Sequence, residues 1–299
     1  MANPKSTAWY GGGISTICGD QPGIGDIFYV DGTNGLDTND GLTPLAPVLT
    51  ITYALSLCTA GNNDYIIVLG YPGDAGEAAW PIPVNVSKVH IIGTPAQAAP
   101  SPLIDATGDF GCFTISASNV EIAGLEFTCG VSAAEACIAT SGGVWKGNIH
   151  HNFFAWQNTA VHGIYLSNDA DSADCPHWHI HNNRFGANMT GHNIFIAYNS
   201  TRTIIEDNIF LGIASGASGI YVDQAGANVG AILDNVFKVA DAGDGEAIEF
   251  AAGTIGTVVD GNVALEGTVA VTQQPYRDLG GNHWGTNWTT NAVDLPKTT

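Results

Sequence analysis

The chain has 299 residues, of which 45% are hydrophobic and only 12% charged, and its 8 Lys and Arg against 28 Asp and Glu give a formal net charge of −20. Without a basic cluster it is not expected to bind nucleic acid or an anionic membrane surface, and polyanionic sugars would be repelled unless cations bridge them. No run approaches the roughly 18 apolar residues that a spanning helix needs, and the 38 glycines suit a turn-rich all-β protein.

Residues 1–26 are Gly-rich, carry Trp9, Tyr10 and Ile14, and read as an extended N-terminal arm for docking or oligomer contacts. Met1 to Tyr10 contains no apolar core, so no secretory signal is expected. Residues 27–63 read as a cap. Within them Ile51, Ala54, Leu55 and Cys58 fall at helical spacing and Gly61 follows as a stop. Such a cap is what an open stack of strands requires, because its first edge would otherwise be unpaired.

From residue 64 to 290 the chain repeats. Tyr65-Ile66-Ile67-Val68-Leu69, Val89-His90-Ile91-Ile92-Gly93 and Val120-Glu121-Ile122-Ala123 read as early strands. A phrase then recurs as Ile149-His150-His151-Asn152-Phe153-Phe154, Ile180 to Phe185, Ile205 to Phe210, Ile232 to Phe237 and, fading, Val259 to Ala264. Its Asn residues, Asn152, Asn183, Asn208, Asn235 and Asn262, lie 31, 25, 27 and 27 residues apart, and Leu125 holds the same place one period earlier. A second ladder sets Ile138, Ile164, Ile194, Ile220 and Ile248 on one face by strict alternation.

Strands at a period near 27 with turns between them predict a single-stranded right-handed parallel β-helix of roughly eight coils. Stacked coils ~4.8 Å apart would let the Asn side chains exchange amide bonds. Asn also tolerates the left-handed backbone of a sharp turn. Phe154, Phe185, Phe210 and Phe237 would stack inside. Both columns are read as structural. Gly281 to Trp288 reads as a last partial coil, and 291–299 as a tail.

The run Asp26-Ile27-Phe28-Tyr29-Val30-Asp31-Gly32-Thr33-Asn34-Gly35, continuing through Gly41, Pro47, Thr50 and Ala54 to Ile66-Ile67-Val68, resembles the opening of right-handed β-helix domains of the pectate-lyase-like superfamily. That superfamily includes polysaccharide lyases, hydrolases and epimerases as well as bacteriophage tailspikes and other virion proteins. The resemblance implies the fold over residues 26–290 and leaves the activity open. None of the eight basic residues carries the lyase motif. The paired aspartates of the polygalacturonase-type hydrolases are missing, and the Cys in Asp174-Cys175-Pro176-His177 breaks an epimerase-like element.

Several side chains are candidates for chemistry or binding. Tyr165, Phe195 and Tyr221 share one outward register with Glu249 next in line, a strip suited either to stacking sugars or to contact with protein. His162 pairs with His192, and His150 with His181, on consecutive coils, so each pair is either a polar ladder or a metal or acid–base site. Glu206, Asp207 and Glu249 are the carboxylates that stacking could bring into a glycosidase-like pair. The Asp31/Asp37/Asp40 loop offers oxygen ligands for calcium, and no other cofactor is expected. Six cysteines show no metal-finger spacing and read as buried thiols.

A β-helix with no export signal and no recognisable catalytic set leads to the expectation of a non-enzymatic phage-particle protein. It would be a capsid decoration or spike on the virion surface, assembled in the host cytoplasm and attached through residues 1–26 to capsid or tail proteins. Resemblance to tailspikes implies a homotrimer. A polysaccharide-binding or -degrading β-helix enzyme and a bacterial surface filament or adhesion subunit are the alternatives. Surface polysaccharide is a further possible partner.

Overall fold

The structure is a computed structural model describing residues 25–70, 77, 79–94, 101–106, 110–129, 136–141, 143–155, 161–166, 174–186, 189–223, 227–239, 245–265 and 275–289. Residues 1–24 of the N-terminal arm, Cys18 among them, and the tail 291–299 lie outside these.

Each winding of the chain lays down up to three short strands, and equivalent strands of successive windings pair in parallel. Three parallel sheets result. The first has ten strands, running from Ile27–Asp31 to Gly281–Trp284; the second and third have eight each, from Leu103–Ala106 to Trp288–Thr289 and from Ile82–Val84 to Tyr276–Asp278. Parallel pairing, which shifts register between Val30 and Asp31 and between Ile255 and Val258, otherwise aligns like with like. Ile122, Ile149, Ile180, Ile205, Ile232 and Val259 face one another in register along the first sheet. Ile138, Ile164, Ile194, Ile220, Ile248 and Tyr276 do so in the third. Every one of these side chains is fully buried. The prism is thus filled by columns of identical branched residues, which suit a pleated and crowded interior.

Inside the second sheet Phe127, Phe154, Phe185, Phe210 and Phe237 stack with centroids 4.5 to 5.3 Å apart. At the corner between the first and second sheets stands the Asn column. Each side chain is fully satisfied. Asn183 Nδ2 donates to Ile149 O and to Asn208 Oδ1, while Asn183 Oδ1 accepts from the backbone N–H and the Nδ2 of Asn152. The pattern repeats through Asn208, Asn235 and Asn262 to Asn287, a member one coil beyond the recurrent phrase, and begins at Leu125, whose N–H donates to Asn152 Oδ1.

One expectation is corrected at this corner. The left-handed backbone belongs to the residue before Leu125 and before each Asn from Asn152 to Asn262: Gly124, His151, Asn182, Asp207, Asp234 and Gly261, with φ between 52° and 71°. Reversing the chain at that one residue lets both the Ile of the strand and the Asn three residues later point inward. The Asn itself is chosen for its amide.

The first strand is covered as the sequence predicts, by a helix that is shorter than its apolar spacing, Ile51–Leu57, with Thr50 as N-cap accepting from Tyr53 N. Ile51, Ala54 and Leu55 are its buried face. Asp37 holds the approach to it, accepting from the N–H of Leu49 and Thr50 and from Thr50 Oγ1. At the far end Trp284 packs against Phe250 and Tyr276.

Candidate functional site

Two outward faces gather the side chains capable of chemistry. On the third sheet, strict alternation that sends the Ile column inward sends its neighbours out. One outward row is Ala139, Tyr165, Phe195, Tyr221, Glu249 and Arg277. Two residues before each inner Ile lies a flanking row of Ala136, His162, His192, Ser218 and Glu246. Six adjacent strands at ~4.8 Å make a strip ~24 Å long.

The strip is aromatic at one end and charged at the other. His162 stacks on Phe195 at 4.6 Å and edges Tyr165 at 5.4 Å; His192 lies 4.4 Å from Tyr221, and Tyr165 lies 4.7 Å from Phe195. The Tyr221 hydroxyl donates to Asp223 Oδ1. Burial, then that carboxylate, raises the phenol above its ordinary range. Beyond Tyr221, Arg277 Nη1 sits 2.8 Å from Glu249 Oε1 and 3.8 Å from Glu246 Oε1. Ser218 Oγ donates to the other oxygen of Glu249 at 2.8 Å.

His162 and His192 are not poised as acid and base. The backbone N–H of His192 donates to His162 Nδ1, and that of Ser218 donates to His192 Nδ1. A ring nitrogen that accepts is unprotonated, which gives His192 its hydrogen on Nε2, while His162 Nδ1 lies between the N–H and the carbonyl oxygen of His192, at 3.2 and 3.3 Å. Burial holds both rings down to about 4. At neutral pH they are uncharged walls of the strip.

The first sheet presents the other face. Glu121 lies between His90 Nδ1 at 2.5 Å and His150 Nε2 at 2.7 Å. Burial alone would raise this carboxyl, yet the hydrogen bonds from His150 and His90 bring it down to about 2. His150 stacks on His181 at 4.8 Å, His181 on His179 at 4.0 Å, and His179 Nε2 meets Glu206 Oε1 at 2.8 Å. Burial lowers His181 and His151. Imidazoles and carboxylates here satisfy one another, and among the described residues no group of three or more His, Cys, Asp or Glu is arranged to hold a metal ion.

The structure therefore separates residues that the sequence placed together. Tyr165, Phe195, Tyr221, His162, His192 and Glu249 do form one face. Glu206 lies on the first sheet, engaged by His179, and Asp207 occupies the left-handed turn after it, so neither neighbours the aromatic strip. The carboxylate beside Glu249 is Glu246, which spacing had not singled out, although it stands where His162 and His192 stand relative to their Ile. Arg277 was missed because Tyr276 takes the inner place that Ile holds in earlier coils. Of the loop candidates, Asp31 accepts from the N–H of Thr33 and Asn34, Asp37 holds the helix approach, and Asp40 accepts from Leu42 N. Each is a turn-forming carboxylate.

Neither a family model nor a curated protein sequence matches the chain. Solved structures do. A lacto-N-biosidase of family GH136 from Eubacterium ramulus matches with a TM-score of 0.56 at 14% identity, over 88% of this chain and 56% of that one; its native crystal form gives 0.52 at 13%. The chain thus spans just over half the length of that enzyme. An alginate lyase from Paenibacillus sp. str. FPU-7 matches at a TM-score of 0.37 and 14% identity, over 82% of this chain and 96% of that one. The likeness establishes a parallel β-helix. It also overturns the expectation of a non-enzymatic phage-particle protein, because the solved structure that shares this fold at a TM-score above 0.5 is an enzyme, the lacto-N-biosidase.

Proposed function

We propose that the chain is a carbohydrate-active β-helix protein that lays a glycan along the outward row of the third sheet and hydrolyses it at Glu249 and the more buried Glu246. The observation that carries this is the continuity of the strip. Three aromatic rings in one register lead directly onto two carboxyls held by a single guanidinium. Sugars present alternating C–H faces and hydroxyl edges, and such rows offer apolar ring surface for the first and hydrogen-bonding groups for the second. Glycoside hydrolysis uses two carboxyls ~5–9.5 Å apart. The contacts of 2.8 and 3.8 Å through one nitrogen keep the nearest oxygens of Glu249 and Glu246 under about 7 Å apart, which is compatible with that range. Glu249 is the more accessible of the two and would meet the sugar first.

The fold shared with a lacto-N-biosidase supports the reading by analogy alone, since one fold hosts many chemistries. Reducing-sugar release across a polysaccharide and oligosaccharide panel tests it. Turnover that falls by roughly 10² or more in Glu249→Gln and Glu246→Gln is the expected result. Tyr221→Ala should weaken binding by about 1 kcal/mol of lost stacking. A panel on which the protein neither binds nor cleaves any glycan would remove the reading.

A further inference from the structure

We infer that the glycan selected by this face is uncharged, and that Glu246 and Glu249 enforce the choice by occupying Arg277. The inference rests on the proposed function and names the substrate class of the same strip.

Recognition of a sugar carboxylate or sulfate calls for a guanidinium or ammonium free to pair with it. Among the described residues of the outward row and the more buried row flanking it Arg277 is the one cation, and it is already taken at 2.8 Å by Glu249 and at 3.8 Å by Glu246. Its partner is itself held in place, because the second oxygen of Glu249 accepts from Ser218 Oγ. Asp223, bonded to the Tyr221 hydroxyl, adds another carboxylate at the same end. Three carboxylates thus stand against one guanidinium where the aromatic rings give way to charge.

The histidines do not redress this balance. His162 and His192 are packed against the aromatic row with Nδ1 engaged by the backbone, and burial keeps both neutral, so they present rings to a ligand but no charge. Tyr165, Phe195 and Tyr221 line the strip with apolar ring surface, which suits the C–H groups of a sugar and offers nothing to pair with an anion. Far-field electrostatics point the same way, because the chain carries a net charge of −20 and slows the approach of any polyanion. A polyuronate or sulfated glycan would meet a repulsive field on approach and no counter-ion on arrival. A neutral glycan meets neither obstacle and keeps the stacking and hydroxyl contacts.

The test compares each neutral glycan that binds, such as a glucan, galactan or chito-oligosaccharide, with its counterpart oxidised at C6 to the carboxylate. The backbone is then shared and only the charge differs. Affinity electrophoresis or calorimetry on the wild type should show the oxidised form binding at least about tenfold more weakly at low salt. The Glu246→Gln/Glu249→Gln double variant frees Arg277 and should bring the two forms to within about threefold. The binding it gains toward the oxidised form should weaken as salt is raised. Arg277→Met, which leaves the carboxylates bare, should widen the gap instead, and a melting curve on each variant confirms that it folds. Equal or tighter binding of the oxidised form by the wild type, or a gap that the double variant leaves unchanged, overturns the inference while glycan binding itself stands. Absence of binding to every glycan removes both this inference and the reading beneath it.

Discussion

A single asparagine shows how the fold is held at the scale of one side chain. Asn208 is buried to 1% exposure, donates from Nδ2 to Ile180 O and Asn235 Oδ1, and accepts at Oδ1 from the backbone and side chain of Asn183. Replacing it with Ala orphans donors and acceptors on both adjoining coils with no water to take their place. Asn208→Ala is expected to cost about 3 kcal/mol, read from the denaturation midpoint, against less than about 1 kcal/mol for Asp207→Gly in the exposed turn beside it. The thiols supply a second test. Cys112, Cys129, Cys137 and Cys175 are fully buried, with Cys112 and Cys129 sulfurs 3.4 Å apart, and the half-buried Cys58 is pushed up to about 12 by burial and then by Asp64 and Asp26. An alkylating reagent at pH 7 should label none of these five in the native protein and all of them after denaturation.

At the scale of strands and ladders, what was legible in the sequence was whatever repeats in register. The Ile, Phe and Asn columns and the outward Tyr165–Phe195–Tyr221–Glu249 row were readable because a parallel stack converts sequence period into spatial adjacency. What was not legible is the join between faces. Nothing in the spacing said that Glu206 belongs to a different sheet from Tyr221, because the stretches between the second and third sheets vary in length and carry no period. Glu246 and Arg277 escaped for a related reason: each sits where a coil departs from the consensus, and departures are where a uniform solenoid can carry something specific.

The histidine ladder of the third sheet makes a measurable prediction at this scale. His162 and His192 are held near 4 in the folded state, so below about pH 6.5 the unfolded chain binds protons that the native chain refuses. Stability should therefore fall as pH drops from about 6.5 to about 4. The Glu121 carboxyl, held at about 2, extends the loss toward that value, since its stabilisation is present above the ordinary carboxyl range and disappears as it protonates. A melting-temperature series from pH 7 to 3 should slope accordingly, and His192→Asn, whose amide oxygen can still accept the Ser218 N–H, should flatten its upper half. An unchanged slope in that variant would place the acid sensitivity elsewhere.

For the whole molecule, stability is a sum of coil-on-coil contacts, so the ends matter more than their size suggests. The helix Ile51–Leu57 covers the first winding with Ile51 and Ala54, both fully buried. Ile51→Asp should lift this cover and expose strand edges to other molecules. Light scattering is expected to show self-association before global unfolding, whereas a comparable change on an outward site such as Ile204→Asp should leave the protein monodisperse.

From the strand Glu121–Ala123 to the strand Ile255–Asp260 two residues always separate the first sheet from the second, and His151-Asn152, Asn182-Asn183, Asp207-Asn208 and Asp234-Asn235 each deliver an amide to the same vertical line. The remainder of each winding is under no such discipline: neighbouring amides are 31, 25, 27, 27 and 25 positions apart along the chain and still meet. Growth and loss of sequence are thus channelled to the other edges of the prism. Foreign peptides spliced there would be carried as passengers on an unaltered frame, while among the described Asn corners an extra residue occurs at Asn287 alone, in the last described winding.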